Sequence, residues 1–110
     1  MYRDSKILIE DILESINKIN LYVEGLSFDD FNLDPKTIDA VTRNFEIIGE
    51  ASNKIPEDIR IKYPDIEWKK IIGLRNRIIH EYFGVDNSII WYIIENELEF
   101  LKDKLLNINE

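Results

Sequence analysis

Residues 34–55 read DPKTIDAVTRNFEIIGEASNKI, and this stretch decides the fold class. Asp34 is a favourable N-cap, and Pro35 takes the first helical position, where a backbone N–H is not needed. From there apolar side chains recur at helical spacing: Ile38, Val41, Phe45, Ile48 and Ile55. Because this spacing is the period of one helix face, the stretch predicts a buried helix from residue 35 to about residue 53.

The segments on either side also have the pattern of helices. Apolar residues at helical spacing after Asp4 and Ser5 and before Gly25 predict a helix over about residues 5–23. Three helical segments follow the central stretch: a short piece at 57–62, a segment from Trp68 toward Phe83 that ends at Gly84, and a last long helix capped by Asp86. Strand signals, such as sustained alternation or Asn-Gly turns, are absent. We therefore expect one domain, residues 1–110, folded as an all-α up-and-down bundle of four main helices with short helical pieces.

The composition excludes several classes of protein. The 110 residues contain no cysteine and a single histidine, His80, so disulfides, thiol nucleophiles and almost every histidine-based metal cage are excluded within one chain. The longest apolar run, 89–94, has six residues, whereas a membrane-spanning helix needs about 20. Nothing after Met1 resembles a signal peptide. We expect a soluble cytoplasmic protein without a membrane-spanning helix, and no motif of the sequence singles out a metal or cofactor site.

Charge is distributed unevenly along the chain. The 14 basic and 22 acidic residues give a net charge of −8, which argues against a protein that binds nucleic acid through phosphate neutralisation alone. Residues 54–80, however, hold seven basic and four acidic side chains, a local charge of +3. A modest basic zone on an acidic body suits a substrate that presents phosphate to one restricted surface.

The basic zone runs into residues 75–82, which read RNRIIHEY. On a helix that turns about 100° per residue, Arg75 lies in the middle of an apolar arc and Tyr82 comes within about 20° of it. Asn76 and His80, four positions apart, share the border of that arc. A guanidinium directed at apolar surface needs a carboxylate, a phosphate or a wet cleft, because burying it without a partner is prohibitive. Four such side chains on one short segment indicate a site.

A structural interpretation is open for each of these residues. Arg75 could form an ion pair with Glu46 or Glu50 from the preceding helix. His80 could be a hydrogen-bonded border residue, and Tyr82 could pack in the core with its hydroxyl at the edge. Signatures of other enzymes are missing, among them a phosphate-binding glycine loop, a Gly-x-Ser-x-Gly elbow and His-Glu-x-x-His. Nucleotide hydrolysis by a P-loop and serine hydrolysis are therefore disfavoured.

Residues 75–82 resemble the Arg-x4-His-x-Tyr motif of HepT-type toxins, a branch of the HEPN (higher eukaryote and prokaryote nucleotide-binding) superfamily. Asn76 follows the arginine, as is usual in that family. The resemblance covers roughly residues 43–106, and these further pieces carry it: Ile47-Ile48-Gly49-Glu50-Ala51, Tyr63-Pro64, Trp68, Ile72-Gly73-Leu74 and Tyr82-Phe83-Gly84-Val85-Asp86. The first 35 residues are similar only in forming an amphipathic helix and a loop.

The resemblance implies an α-helical, HEPN-like homodimer with metal-independent endoribonuclease activity, whose partner is a MntA-type minimal nucleotidyltransferase antitoxin. Carried onto this chain, it makes Arg75 and His80 catalytic, Asn76 a supporting residue and Tyr82 the tyrosine that the antitoxin adenylylates. One histidine cannot easily act as both acid and base, so the mechanism requires a two-fold axis that brings two copies of the pair into one cleft. Two other hypotheses are a non-catalytic helical partner that docks a nucleotidyltransferase or presents a nucleotide, and a purely structural bundle with Arg75 in an ion pair.

Overall fold

The computed structural model describes residues 4–80 and 86–108, and within those ranges every regular element is a helix. In chain order the helices are α1 (Ser5–Val23), α2 (Phe28–Asn32), α3 (Pro35–Lys54), α4 (Glu57–Lys62), α5 (Trp68–His80), α6 (Asn87–Asn96) and α7 (Leu98–Leu106). The prediction of an all-α bundle is confirmed, and the predicted bounds of α1, α3 and α4 agree closely with the structure. The predicted end of the motif segment, near Phe83 and Gly84, lies outside the described residues.

Aspartate side chains begin three of the helices, as the sequence predicts. Asp34 Oδ1 accepts a hydrogen bond from the backbone N–H of Thr37 at 3.2 Å, and Asp86 Oδ1 accepts one from Ser88 at 2.8 Å. Asp4 caps α1 in the same way. Each cap satisfies an N–H that has no partner inside its own helix. The pKa values of Asp34 and Asp86 are lowered, chiefly because the Thr37 hydroxyl and the Ser88 N–H respectively donate to the carboxylate.

The sequence does not predict α2, which fills the connection between α1 and α3. Its five residues are too few to show a helical period. A capping box begins it, in which the Ser27 hydroxyl accepts from the N–H of Asp30 and the Asp30 carboxylate accepts from the N–H of Ser27. Phe31 is fully buried, and its ring centroid lies 5.1 Å from that of Trp91 in α6. Tertiary packing therefore stabilises a helix that is too short to form by itself.

The last long helix of the prediction is divided in two. Glu97 has a φ of −121° and ends α6, and Leu98 begins α7 directly after it. The break allows α6 to pack against α2 while α7 packs against α1. One apolar stripe continues across the break, since Ile90, Ile94 and Leu105 are buried together with Leu98.

Helix α3 is the central element of the bundle. It packs against both α1 and α5, and its stripe of Val41, Phe45 and Ile48 is almost fully buried. Apolar side chains of α1 pack against it and are buried, whereas Ile7 near the start of α1 is exposed: Leu8, Ile9, Ile12, Ile16 and Ile19. None of the helices in the described ranges is long and apolar enough to cross a membrane. Because α3 is held in the core, it fixes the position of α5 and of the motif that α5 carries.

Candidate functional site

The motif helix α5 approaches α3 very closely at Gly49. A β-carbon placed on Gly49 would overlap Cβ of Arg75, lie 2.6 Å from its Cγ and lie 3.3 Å from the carbonyl oxygen of Ile71. Ordinary van der Waals contact begins at 3.4 Å, so a larger residue fits at this position only if the helices separate. The glycine thus sets the distance between α3 and α5 and brings the stem of Arg75 against the α3 backbone.

Among the described residues, two acceptors lie at the outer end of the Arg75 guanidinium. Nη1 donates a hydrogen bond to Oδ1 of Asn76 at 3.0 Å, and Nη2 lies 3.6 Å from Oε1 of Glu50. Nε is buried and finds no acceptor in the part of the chain that the structure describes. The side chain as a whole is 28% exposed, so part of it reaches solvent while Nε is covered.

The structure selects one partner for Arg75 from the two that the sequence leaves open. Glu50 forms the ion pair, whereas Glu46 pairs with Arg43 of its own helix at 3.3 Å. The contact of 3.6 Å joins Arg75 to Glu50, whose side chain is 40% exposed, and such pairs contribute little to stability. A second anion can therefore compete with Glu50 for the guanidinium.

Of the other predicted site residues, the structure describes the side chain of Asn76 but not those of His80 and Tyr82. Asn76 lies beside Arg75 and is exposed, as expected for a residue at the border of the apolar arc. His80 is the last residue of α5 that the structure describes, but its side chain lies outside the described residues, as does the whole of Tyr82. Their proximity to Arg75 stays a prediction from helical spacing. Within the described ranges, no three acidic or histidine side chains are grouped so that they could hold a metal ion.

A groove of about 750 Å³ runs along α5 on the side that faces α6 and α7. Ion pairs join its walls, between Lys70 and Glu97 and between Lys104 and Asp65. The hydrogen bond that Lys70 donates to Glu97 raises the pKa of Lys70 above its ordinary value. An apolar surface with a charged border is typical of a site that binds another molecule. The lining is mainly apolar: Phe45, Ile48, Ile66, Ile71, Leu74, Ile89, Ile93, Leu98 and Leu101.

Sequence patterns assign no role to Gly49 and leave Glu50 as one of two candidate partners for Arg75. A glycine inside an apolar helical stripe is the signal that could have revealed the close approach, because glycine weakens a helix and often has a packing reason there. The groove has no comparable signal. Its Lys70–Glu97 pair, for example, joins residues that are 27 positions apart and meet only in the folded chain.

Together these features define an all-α domain in which an arginine-bearing helix lies between a close helix contact and an apolar groove. Residues 12–108 match the family of HepT-like proteins, described as ribonuclease HepT-like. The match covers most of the chain, and the chain therefore belongs to the HepT-like family. The family match is longer than the resemblance noted in the sequence, which covers residues 43–106, and it includes most of α1.

Several curated relatives are similar to the chain over most of their length. "Probable ribonuclease HepT" from Thermococcus cleftensis is 41% identical over 104 residues, which cover 94% of each chain. "Putative RNase MJ0127" from Methanocaldococcus jannaschii is 42% identical over 96 residues, which cover 87% of this chain and 79% of the relative. "Putative RNase TTE0752" from Caldanaerobacter subterraneus subsp. tengcongensis is 41% identical over 100 residues, which cover 91% of this chain and 89% of the relative. No solved structure matches the chain.

Proposed function

We propose that this protein is a metal-independent endoribonuclease and the toxin of a toxin–antitoxin pair. The observation that carries the proposal is the placement of Arg75: a weakly paired, partly solvated guanidinium on the motif helix of a HepT-like chain. Arg75 and His80 are the catalytic residues, and Asn76 supports them by accepting a hydrogen bond from Nη1 of Arg75. The names of the relatives as ribonucleases support RNA as the substrate.

RNA supplies its own nucleophile, so the reaction needs no metal-bound water. The 2′-hydroxyl attacks the adjacent phosphorus and gives its proton to a base, and the 5′-oxygen leaves with a proton from an acid. The products are a 2′,3′-cyclic phosphate and a free 5′-hydroxyl. Histidine titrates near neutrality, and arginine can bind two phosphate oxygens at once. In this proposal His80 transfers protons, and Arg75 stabilises the negative charge that develops on the phosphoryl oxygens.

The proposal includes a homodimer with the motif helix near the two-fold axis. The single histidine favours a dimer, because two copies of the chain can supply an acid and a base to one cleft. The apolar groove beside α5 supports it, since the lining includes side chains that are well exposed in one chain: Ile89 (39%), Tyr92 (59%) and Phe100 (55%). A second copy that covers this groove would bury these side chains against the face of α5 that Ile71 and Leu74 line.

Cleavage of RNA by the purified protein tests the activity. We expect cleavage to persist in chelator, to leave cyclic or 3′-phosphate ends, and to fall by about 10²-fold or more in Arg75→Ala and in His80→Ala. Arg43→Ala is the matched control, since this exposed arginine pairs within α3 and lies outside the motif. Strict magnesium dependence, or full activity of Arg75→Ala, would reject the mechanism.

Induction of the chain alone in cells tests the role as a toxin. We expect growth to stop and cellular RNA to be degraded, whereas His80→Ala should leave both unaffected because the proton-transfer group is missing. A non-catalytic docking partner of a nucleotidyltransferase would instead leave RNA intact in both cultures. The comparison therefore separates the two hypotheses that share the same family.

We further propose that a MntA-type nucleotidyltransferase neutralises the toxin by adenylylating Tyr82. The phenolic oxygen would attack the α-phosphate of ATP and give its proton to solvent; pyrophosphate would leave, and AMP would stay on the tyrosine. The added phosphate would then engage Arg75 and exclude RNA. We expect mass spectrometry after co-expression to find AMP on Tyr82, and Tyr82→Phe to cleave RNA yet escape the antitoxin. An adduct on Tyr63 or Tyr92, or none, would refute this mode of control.

A further inference from the structure

Glu50 occupies the place beside Arg75 that a substrate phosphate needs, and we infer that Glu50 is a displaceable counter-ion that sets the affinity for RNA. The inference rests on the proposed function, because a phosphate of RNA is the anion that competes with the carboxylate. It gives Glu50 a role in substrate binding and none in proton transfer.

Only the outer end of the guanidinium is available to a second anion. Nε is buried, and the stem of Arg75 lies against the backbone at Gly49. Within the described part of the chain, Nη1 contacts Asn76 and Nη2 contacts Glu50. A phosphate that binds Arg75 without moving α5 must therefore approach the terminal nitrogens, where the Glu50 carboxylate already lies.

The two acceptors respond differently to a bound phosphate. Asn76 is neutral and adjacent to Arg75 in the chain, so its hydrogen bond orients the guanidinium and can persist beside the phosphate. Glu50 carries a negative charge, and its carboxylate repels a phosphate at the same guanidinium. The phosphate therefore replaces Glu50 and leaves Asn76 in contact.

The exchange is favourable because the existing pair is weak. The Glu50 carboxylate lies 3.6 Å from Nη2, and the side chains of Arg75 and Glu50 are 28% and 40% exposed. Solvent-exposed pairs of this kind contribute little, whereas a phosphate can form two charge-assisted hydrogen bonds to one guanidinium. In the free protein Glu50 compensates the charge of a guanidinium whose Nε is buried. It leaves when RNA binds, so its removal should change binding and not the chemical step.

Glu50→Gln tests the inference, with Glu46→Gln as the matched control. Both variants remove one negative charge from α3, about one helical turn apart, but Glu46 pairs with Arg43 and not with Arg75. We expect Glu50→Gln to lower the KM for RNA about two- to fivefold more than Glu46→Gln does, with kcat unchanged. The Kd for a 2′-O-methyl RNA oligonucleotide, which cannot be cleaved, should fall by the same factor. In an Arg75→Ala background the two glutamine variants should change this Kd equally.

Two outcomes of the kinetic comparison would overturn the counter-ion role. Equal effects of Glu50→Gln and Glu46→Gln would mean that only net charge matters, and a fall in kcat at constant KM would mean that Glu50 positions Arg75 for the reaction. Failure of the proposed nuclease activity can be distinguished from failure of the counter-ion role, because binding of the oligonucleotide is measured without cleavage. A protein that cleaves no RNA but binds the oligonucleotide more tightly as Glu50→Gln retains the counter-ion role, whereas absence of binding by both forms refutes it.

Discussion

Replacing Gly49 by alanine should separate α3 from α5 and displace Arg75. The added β-carbon would lie 2.6 Å from Cγ of Arg75, which is 0.8 Å short of the 3.4 Å at which ordinary contact begins, and it would overlap Cβ itself. Because Cβ moves only with the α5 backbone, rotation of the arginine side chain does not relieve the overlap. The helix must therefore move by about an ångström.

Two opposing contributions determine the change in stability. Alanine is favoured over glycine inside a helix by about 1 kcal/mol, whereas an extra methyl forced into a packed contact costs about 1–3 kcal/mol. The obstacle here is fixed to the backbone, so we expect the upper part of that range and a net loss of about 1–2 kcal/mol in the free energy of unfolding. For a chain of this size the melting temperature should fall by roughly 4–8 °C. Displacement of Arg75 by about an ångström should reduce RNA cleavage by about 10²-fold.

Thermal unfolding followed by circular dichroism measures the first effect, and cleavage assayed well below the melting temperature measures the second. Gly73→Ala is the matched control, because a β-carbon at this position of α5 meets nothing within 4 Å. It should raise stability by about 0.5–1 kcal/mol and leave Arg75 in place. Light scattering should confirm an unchanged mass, since Gly73 lines the groove. An unaltered melting temperature with full cleavage in Gly49→Ala would refute the role of Gly49.

Three further measurements address the dimer, the helix cap and the core. Phe100→Glu, at the exposed edge of the groove, should give monomers in light scattering and should not cleave RNA. Leu33→Glu is the control: Leu33 is 81% exposed and lies outside the groove, so this variant should remain a dimer and cleave RNA. A monomeric wild type at micromolar concentration would contradict the dimer. Asp34→Asn should lower the melting temperature near neutral pH, because folding lowers the Asp34 pKa from 3.8 and the ionised carboxylate therefore stabilises the folded state. The difference in melting temperature between the two proteins should vanish as the pH falls below 3.8, since the carboxylate of the folded protein is then protonated. Ile12→Ala should cost about 2–5 kcal/mol in urea unfolding, since Ile12 is fully buried; a smaller loss would mean that the core collapses around the cavity.

Helix starts could be predicted because a cap depends on residues within a few positions of one another. Asp34 and Asp86 each accept a hydrogen bond from an N–H no more than three residues away. The break at Glu97 could not be predicted in this way, since the apolar stripe continues across it. It exists because α6 and α7 pack against different helices, and no local pattern contains that information.

The sequence by itself determined the all-α class and the residue types of the motif segment, 75–82, because both depend on composition and on spacing along a single helix. Only the tertiary structure decided which carboxylate faces Arg75. Glu46 and Glu50 have the same chemistry and lie one turn apart on α3, so the sequence does not distinguish them. The choice depends on where α5 crosses α3, and that point is set by a glycine whose missing side chain allows contact between segments far apart in the chain.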